Sequence, residues 1–303
     1  ACAGLMPESI SHEGYSAKPM HSYWDDFWAL RGYEDAADIA RRVGQDADAV
    51  RFASIAREFR SDLYESIRLA CEIHGIGYVP GCVELGDFDA TSTAIALFLG
   101  EQGRAPEPLL TDTFEKYWEF FERRRDGVEA WDGMTPYELR IVGAFVRLGW
   151  TERAHALLDW LLERRSPGGC NQWGEIASAD PTRGRFVGDM PHTWVASGYV
   201  LSLLSMFAYE RGDGLVLAPG IPDEWIRSDE GAGVEGMWTP WGPLSYRFRG
   251  SDDGAVFELI DAPDAPGGLL LRVPEGTVAP GRAHEGGFVR LAPDERRVVL
   301  RFE

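Results

Sequence analysis

Basic residues are scarce in this chain: 30 Lys and Arg stand against 49 Asp and Glu, a formal net charge of −19 over 303 residues. The acids are spread along the sequence rather than gathered in a tail. Nucleic acid and anionic membrane both need a basic face, so neither is an expected partner, whereas a neutral sugar is compatible with an acidic surface. Cysteine is scarce too. The four present (Cys2, Cys71, Cys82, Cys170) have no metal-ligand spacing and no Cys-x-x-Cys, and they are too few to staple a domain of this size. They read as buried free thiols or one incidental bridge, with no metal and no cofactor expected. No apolar run approaches the ~20 residues of a membrane span, so a soluble protein is expected and its compartment stays open. A Gly-x-Ser-x-Gly elbow is missing, as are phosphate- and dinucleotide-binding loops, which leaves Ser-His-Asp and nucleotide chemistry without support. The chain opens Ala1-Cys2-Ala3-Gly4 without an initiator Met or a signal-like run, and reads as processed or as an excerpt of a longer protein.

Tryptophan, by contrast, is abundant, with eleven in the chain. Most read as core filling, because large aromatics bury more apolar area than any other side chain. Four stand beside acids in loops: Trp24, Trp28, Trp131 and Trp173. Two stretches are decisive, Pro19-Met20-His21-Ser22-Tyr23-Trp24-Asp25-Asp26-Phe27-Trp28 and Asn171-Gln172-Trp173-Gly174-Glu175. Each sets a carboxylate beside tryptophan where a loop meets a helix. Two carboxylates on a helical scaffold, walled by aromatics, are what glycoside hydrolysis requires.

Helical periodicity dominates the first two-thirds. Apolar residues recur at steps of three and four through Phe52, Ile55, Phe59, Leu63, Ile67 and Ala70, predicting a helix over 48–73. Further helices are expected over 24–43, 91–99, 111–125, 135–148, 151–165 and 191–210. Thr135-Pro136-Tyr137-Glu138 has the spacing of a capping box with Pro at the first helical position. Seven helices joined by alternating short and long loops suggest stacked hairpins. The long loops at 75–90, 126–135 and 166–190 hold acids and aromatics, so one end of the stack is expected to carry function. From Gly212 short strands punctuated by Gly, Pro and Asp take over (215–217, 244–248, 255–260, 269–273, 288–291, 298–302), as in a sandwich. The expected class is mostly α with a C-terminal β domain: a helical-hairpin catalytic domain over 1–211 and a small β-sandwich over 212–303.

The run Ser9-Ile10-Ser11-His12-Glu13-Gly14 through Tyr23-Trp24-Asp25-Asp26-Phe27-Trp28 resembles the six-hairpin, (α/α)6-barrel glycosidases. So does Gln172-Trp173-Gly174-Glu175 followed by Gly188-Asp189-Met190-Pro191-His192-Thr193-Trp194. The piece 215–222, with Thr239-Pro240-Trp241-Gly242-Pro243-Leu244-Ser245-Tyr246, resembles the β domain that follows the barrel in α-L-rhamnosidases and their trehalase-like relatives. The resemblance covers most of the chain up to about Tyr246 and names the superfamily better than the sugar. Such barrels have twelve helices, with the general acid before the sixth and the base between the eleventh and twelfth. Counting back from 191–210 as the last helix puts Asp25 and Glu175 in those two loops. The same count implies that helices one to five are absent, so another chain or a missing N-terminal segment is an expected partner completing the barrel.

The resemblance thus implies an exo-acting, inverting glycosidase with an oligosaccharide or glycoside substrate. One carboxyl donates a proton to the leaving oxygen and the other activates water, ~6.5–9.5 Å apart. Asp25, directly after Trp24, is the first choice for the acid, with Asp26 as its alternative or as a sugar ligand. Acids in a first helical turn are also favoured simply by the helix dipole and by capping. Glu175 resembles the base; otherwise it is a solvated loop residue. Trp24, Trp28, Trp131, Trp173 and Trp194 are expected to touch sugar. His21, Glu138 and His192 are candidates for sugar hydroxyls, with capping of its own helix as the plainer account of Glu138 and packing as that of His192. Asp87 and Asp89 either bind sugar or cap the helix at Thr91, and Asp189 is read as a cap. A phosphorylase or lyase on a similar toroid, or a partial barrel that only binds glycans, are the alternatives.

Overall fold

A computed structural model describes residues 1–10, 17–131, 134–165, 169–178, 180, 190–251, 253–284 and 286–303. The chain divides into two compact units, Ala1–Ile141 and Val142–Glu303. The division falls inside a helix.

In the first unit, helix α1 (Tyr23–Arg42) and the long α2 (Asp46–His74) form a hairpin; α3 (Ala90–Phe98) packs on α1, and α4 (Leu109–Arg125) on α3. The stripe read from α2 is the buried one: Phe59, Leu63, Ile67 and Ala70 face inward. The helix ends at Gly75, whose φ of +65° is a left-handed cap that a residue with a Cβ adopts only under strain. Charge closes the hairpin from the side. Arg60 of α2 donates to both oxygens of Glu101 at 2.8 Å and to Glu34 of α1 at 2.5 Å, and the Tyr64 hydroxyl donates to Glu101 as well. Glu101 is buried, and this fork of donors satisfies the charge that burial would otherwise penalise.

The expected capping box at Thr135 is not built. Thr135 makes no side-chain cap bond, and Pro136–Glu138 is a single 3-10 turn ahead of α5 (Leu139–Leu148). The Glu138 carboxylate turns to a guanidinium instead of to the local backbone, because the Arg124 fork gives a buried carboxylate two charge-assisted bonds where a cap gives one neutral bond.

The second unit holds α6 (Thr151–Glu163), α7 (Thr193–Phe207) and two sheets. The last helix is shorter than expected. Ala208 leaves it in extended backbone (φ −160°, ψ 151°), and strand β1 (Ala208–Arg211) pairs antiparallel with β2 (Gly214–Leu217). The ladder outweighs local helical preference there. A short helix α8 (Asp223–Arg227) follows, then β3 (Gly233–Thr239), β4 (Gly242–Ser251), β5 (Gly254–Asp261), β6 (Leu269–Arg272), β7 (Thr277–Val278), β8 (Phe288–Arg290) and β9 (Arg297–Phe302). One sheet has the order β1-β2-β6-β8, with β2 and β6 parallel; the other has β3-β4-β5-β9-β7. Inward residues of both sheets, among them Leu217, Leu271, Tyr246, Phe248, Phe257 and Leu300, share one hydrophobic core. The Tyr246 hydroxyl donates to the Phe207 carbonyl at 2.7 Å, tying the sheet to the end of α7. Helix α6 is tied to the segment after β2 through Thr151, which donates to Pro219, and through His155, 2.8 Å from the Gly220 carbonyl. Among the described residues no helix is long and apolar enough to cross a membrane.

Candidate functional site

The start of α1 is held from outside the helix. Ser22 enters in extended backbone without a side-chain cap bond. Tyr23 N–H donates to Gly81 at 3.1 Å and Val83 N–H to His21 at 3.0 Å, while Ser9 and Met20 exchange two backbone bonds at 2.9 Å. The Tyr23 hydroxyl lies 2.8 Å from the Ser66 hydroxyl of α2. Two flanking segments therefore fix the first turn, and that turn carries both acids.

Asp26 is fully buried. Its Oδ1 accepts the Met6 N–H at 2.9 Å, and its Oδ2 has no hydrogen-bond partner among the described residues. Burial raises its pKa to about 7; the Met6 bond and the charge of His21 oppose the rise, and the neighbouring Asp25 adds to it. Asp25 is half-buried, and its Oδ2 accepts the Ser9 hydroxyl at 2.5 Å. Adjacent carboxyls thus sit in different surroundings, one enclosed and holding a proton near neutrality, one reaching solvent. Trp24 is buried, edge-on to the half-exposed Trp28 with ring centroids 5.9 Å apart. The Arg140 guanidinium is stacked on Trp24 at 4.7 Å and on Tyr137 at 4.5 Å.

His21 lies beside this turn, on the backbone bridge to the 80–83 loop. Its Nδ1 is 2.6 Å from Glu84 Oε1, and its N–H donates to Glu84 Oε2 at 3.0 Å. Burial works against the charge of Glu84, yet these bonds outweigh it and hold the carboxyl below its ordinary range. Asp87 accepts the Cys82 N–H at 3.1 Å. Asp89 is a helix cap: it accepts from the N–H groups of Thr91 and Ser92 at 3.1 and 3.0 Å and from both their hydroxyls. Glu138 is buried, with Arg124 donating to both its oxygens and the Tyr117 hydroxyl to one of them. Trp131 is half-buried, and its carbonyl accepts the Met134 N–H.

In the second unit, a cleft of about 190 Å³ is lined by Trp173, Tyr199, His192, Arg165, Asn171 and Gln172 among others. Trp173 is buried, its ring 5.5 Å from that of Tyr199, and its indole N–H donates to the Leu161 carbonyl at 3.0 Å. Its indole is thus anchored to α6 and presents one side to the cleft. Glu175, two residues on, is half-buried and is not among the lining residues. His192 is the cap residue of α7 without a side-chain cap bond, and Trp194 in the first turn is 39% exposed. Asp189 lies outside the described residues, as do Ser11, His12, Glu13, Gly14 and Gly188.

The structure brings Trp24, Asp25, Asp26 and Trp28 into one helical turn with His21 beside it, and Trp173 and His192 into one cleft. Glu138 is committed to a separate buried cluster. The sequence assigns no site role to Met6, Ser9, Glu84 or Arg140, whose contacts with the α1 start span 20, 16, 63 and more than a hundred positions of chain. No local pattern marks such contacts. Tyr199 was within reach, because His192, Ala196 and Tyr199 recur at steps of four and three along one face of α7.

No family model matches the chain, and no curated protein matches it by sequence. Among solved structures, an α-L-rhamnosidase from Dictyoglumus thermophilum is similar over 91% of this chain, with a TM-score of 0.50 at 12% identity. The chain covers 31% of that protein's length, about a third. The likeness is one of fold: a glycoside-hydrolase-like arrangement of helices followed by sheets.

Proposed function

We propose that the chain is a glycoside hydrolase built on part of an (α/α)6 barrel, with 1–211 as the catalytic part and 212–303 as a β-sandwich. The Asp25–Asp26 pair supplies the acid and Glu175 the base. The observation that carries this reading is the pair itself: a buried Asp26 carboxyl with a pKa of about 7, adjoining a half-exposed Asp25 in the same helical turn as Trp24 and Trp28. A general acid has to keep its proton near neutrality and still release it in the transition state, and that poise is what raised carboxyls provide. Asp25, the half-exposed member, is the first choice to donate its proton to the leaving oxygen, with Asp26 as the alternative donor. Trp28 offers an exposed ring for a sugar face. Trp24, through Arg140, fixes the turn; Trp131, Trp173 and Trp194 with His21 and His192 complete the sugar contacts. Glu138, tied to Arg124 and Tyr117 in its own buried cluster, holds α4 against the start of α5 rather than touching substrate. The fold likeness to an α-L-rhamnosidase makes L-rhamnosides the first substrates to try, with inversion and exo action as the expected mode.

The test is sugar release from aryl glycosides and disaccharides, with the anomer of the product followed by NMR, for the native chain and its Glu175→Gln form. Turnover in the first and its loss in the second is the expected result. A well-folded chain that turns nothing over, with glycan binding unchanged in Glu175→Gln, overturns the enzyme reading in favour of a glycan-binding partial barrel. Dependence on inorganic phosphate marks a phosphorylase, and an unsaturated product absorbing in the ultraviolet marks a lyase.

A further inference from the structure

Three side chains from distant parts of the sequence meet beside the α1 start: Cys2, His21 and Glu84. One ligand atom from each, a thiol sulfur, a ring nitrogen and a carboxylate oxygen, lies within 4.8 Å of the other two. No sequence spacing announces the group, since its members are separated by 19 and 63 positions and belong to no metal motif. Two of the three are held in place by backbone. Ser22 and Cys82 form an antiparallel bridge, Val83 N–H donates to the His21 carbonyl at 3.0 Å, and His21 N–H donates to Glu84 Oε2 at 3.0 Å. That N–H also reaches Oε1 at 3.3 Å, so the carboxylate is pinned by both oxygens, with Oε1 facing the imidazole. Cys2 is an exposed free thiol on the segment that also carries Met6 and Ser9.

We propose that Cys2, His21 and Glu84 bind a divalent transition-metal ion of the zinc class, which fastens residues 1–10 over the Asp25–Asp26 turn. The donor set selects the ion. One thiolate, one imidazole and one carboxylate suit a borderline cation, whereas magnesium and calcium take oxygen ligands. Two anionic ligands balance the charge of the dication. Three protein ligands leave a fourth tetrahedral position for water. His21 Nδ1 and Glu84 Oε1 are 2.6 Å apart as an ion pair. Ligands at ~2.0–2.1 Å from a tetrahedral ion stand roughly 3.3 Å apart, so the pair opens by roughly 0.7 Å as the ion replaces the proton between them. Cys2 gives up its thiol proton, and the remaining imidazole proton sits on Nε2. Because ligands must be deprotonated, binding releases protons and weakens as pH falls.

The inference reaches beyond the glycosidase reading and is tested without turnover. The reduced, metal-free chain is titrated with Zn2+ by calorimetry and with Co2+ by absorption, beside Cys2→Ser, Glu84→Gln and the control Cys170→Ser. One equivalent is expected, with a thiolate-to-cobalt charge-transfer band that vanishes in Cys2→Ser and persists in Cys170→Ser. Affinity should fall at least tenfold in Cys2→Ser and in Glu84→Gln. Cys2 is exposed, so its variant folds as the native chain does, and equal thermal melts of the metal-free forms check this. Zinc should also slow amide exchange at Leu5 and Met6 in the native chain and leave Cys2→Ser unchanged. Less than one equivalent bound by the native chain, or unchanged affinity in Cys2→Ser, overturns the proposal.

Discussion

Two buried carboxylates of the first unit, Asp26 and Glu138, stand at the start of a helix each and are settled in opposite ways. Glu138 has a guanidinium across both oxygens and a phenol on one of them. Among the described residues Asp26 has one backbone N–H, no cation in hydrogen-bond contact, a second oxygen without a partner and another carboxyl next to it. The first is the arrangement that makes a buried charge tolerable. The second pushes the group toward its neutral form. A chain able to build the Arg124–Glu138 fork has left Asp26 without an equivalent, and the Asp26 arrangement costs stability at neutral pH. Such local cost concentrates where function needs a group in an unusual state.

The largest effect that sharpens this contrast is chemical. Replacing Asp26 by Asn should cut kcat by about 10²–10⁴, the range of general acid–base contributions. Replacing Glu138 by Gln should leave kcat within a few-fold once the protein is folded; equal losses in the two would break the contrast. Stability reverses the ranking. Arg124→Ala strands a buried carboxylate and should cost about 3–5 kcal/mol in denaturant melts, whereas Asp26→Asn strands no charge. A small loss in Arg124→Ala would show that the fork is not sealed from water.

The pH dependence separates the two further. The folded pKa of Asp26, about 7, lies above its reference value of 3.8, so the folded state holds the proton more tightly than the unfolded chain. Its contribution is fully present below about pH 4 and lost as pH rises toward 7, a decline of about 2–4 kcal/mol. Asp26→Asn should flatten that decline. If the native and variant curves run parallel from pH 4 to 7, Asp26 does not hold a proton in the folded state. The smallest effect belongs to the second unit: Trp173→Phe, which removes the bond to Leu161, should cost about 1 kcal/mol in the same melts.

Much of the fold was legible before the structure. The buried stripe of α2 follows steps of three and four, the strands at 255–260 and 298–302 alternate as half-buried strands do, and the apolar run at 215–217 is a strand buried throughout. What escaped has no such signature. Strand β3 carries glycines at Gly233 and Gly236 and buries none of its residues fully, so nothing alternates. Strand β1 continues an apolar helix in sequence and becomes a strand only because β2 is there to pair with it. At the site, adjacency gave the Asp25–Asp26 pair, but adjacency cannot rank its members. The order of preference follows the neighbour Trp24, whereas enclosure falls on Asp26, and it is burial by distant parts of the chain that raises its pKa, against the opposing bond from Met6. Glu138 was misjudged as a cap for the same reason in reverse: its partner Arg124 is 14 positions away, and a capping box is visible at three.

The sheet order carries a consequence for how the molecule is made. Strand β5 finds its outer neighbour only in β9, some forty positions later, and β2 pairs in parallel with β6 across a gap of similar size. Helical hairpins such as α1–α2 close on nearby chain and form early, whereas pairings of such separation pay loop-closure entropy first and form slowly. During synthesis the first unit can therefore collapse while β4 and β5 wait with an open edge until Arg297–Phe302 has been added. That waiting edge is the stretch of this chain most exposed to pairing with a neighbour on the same message.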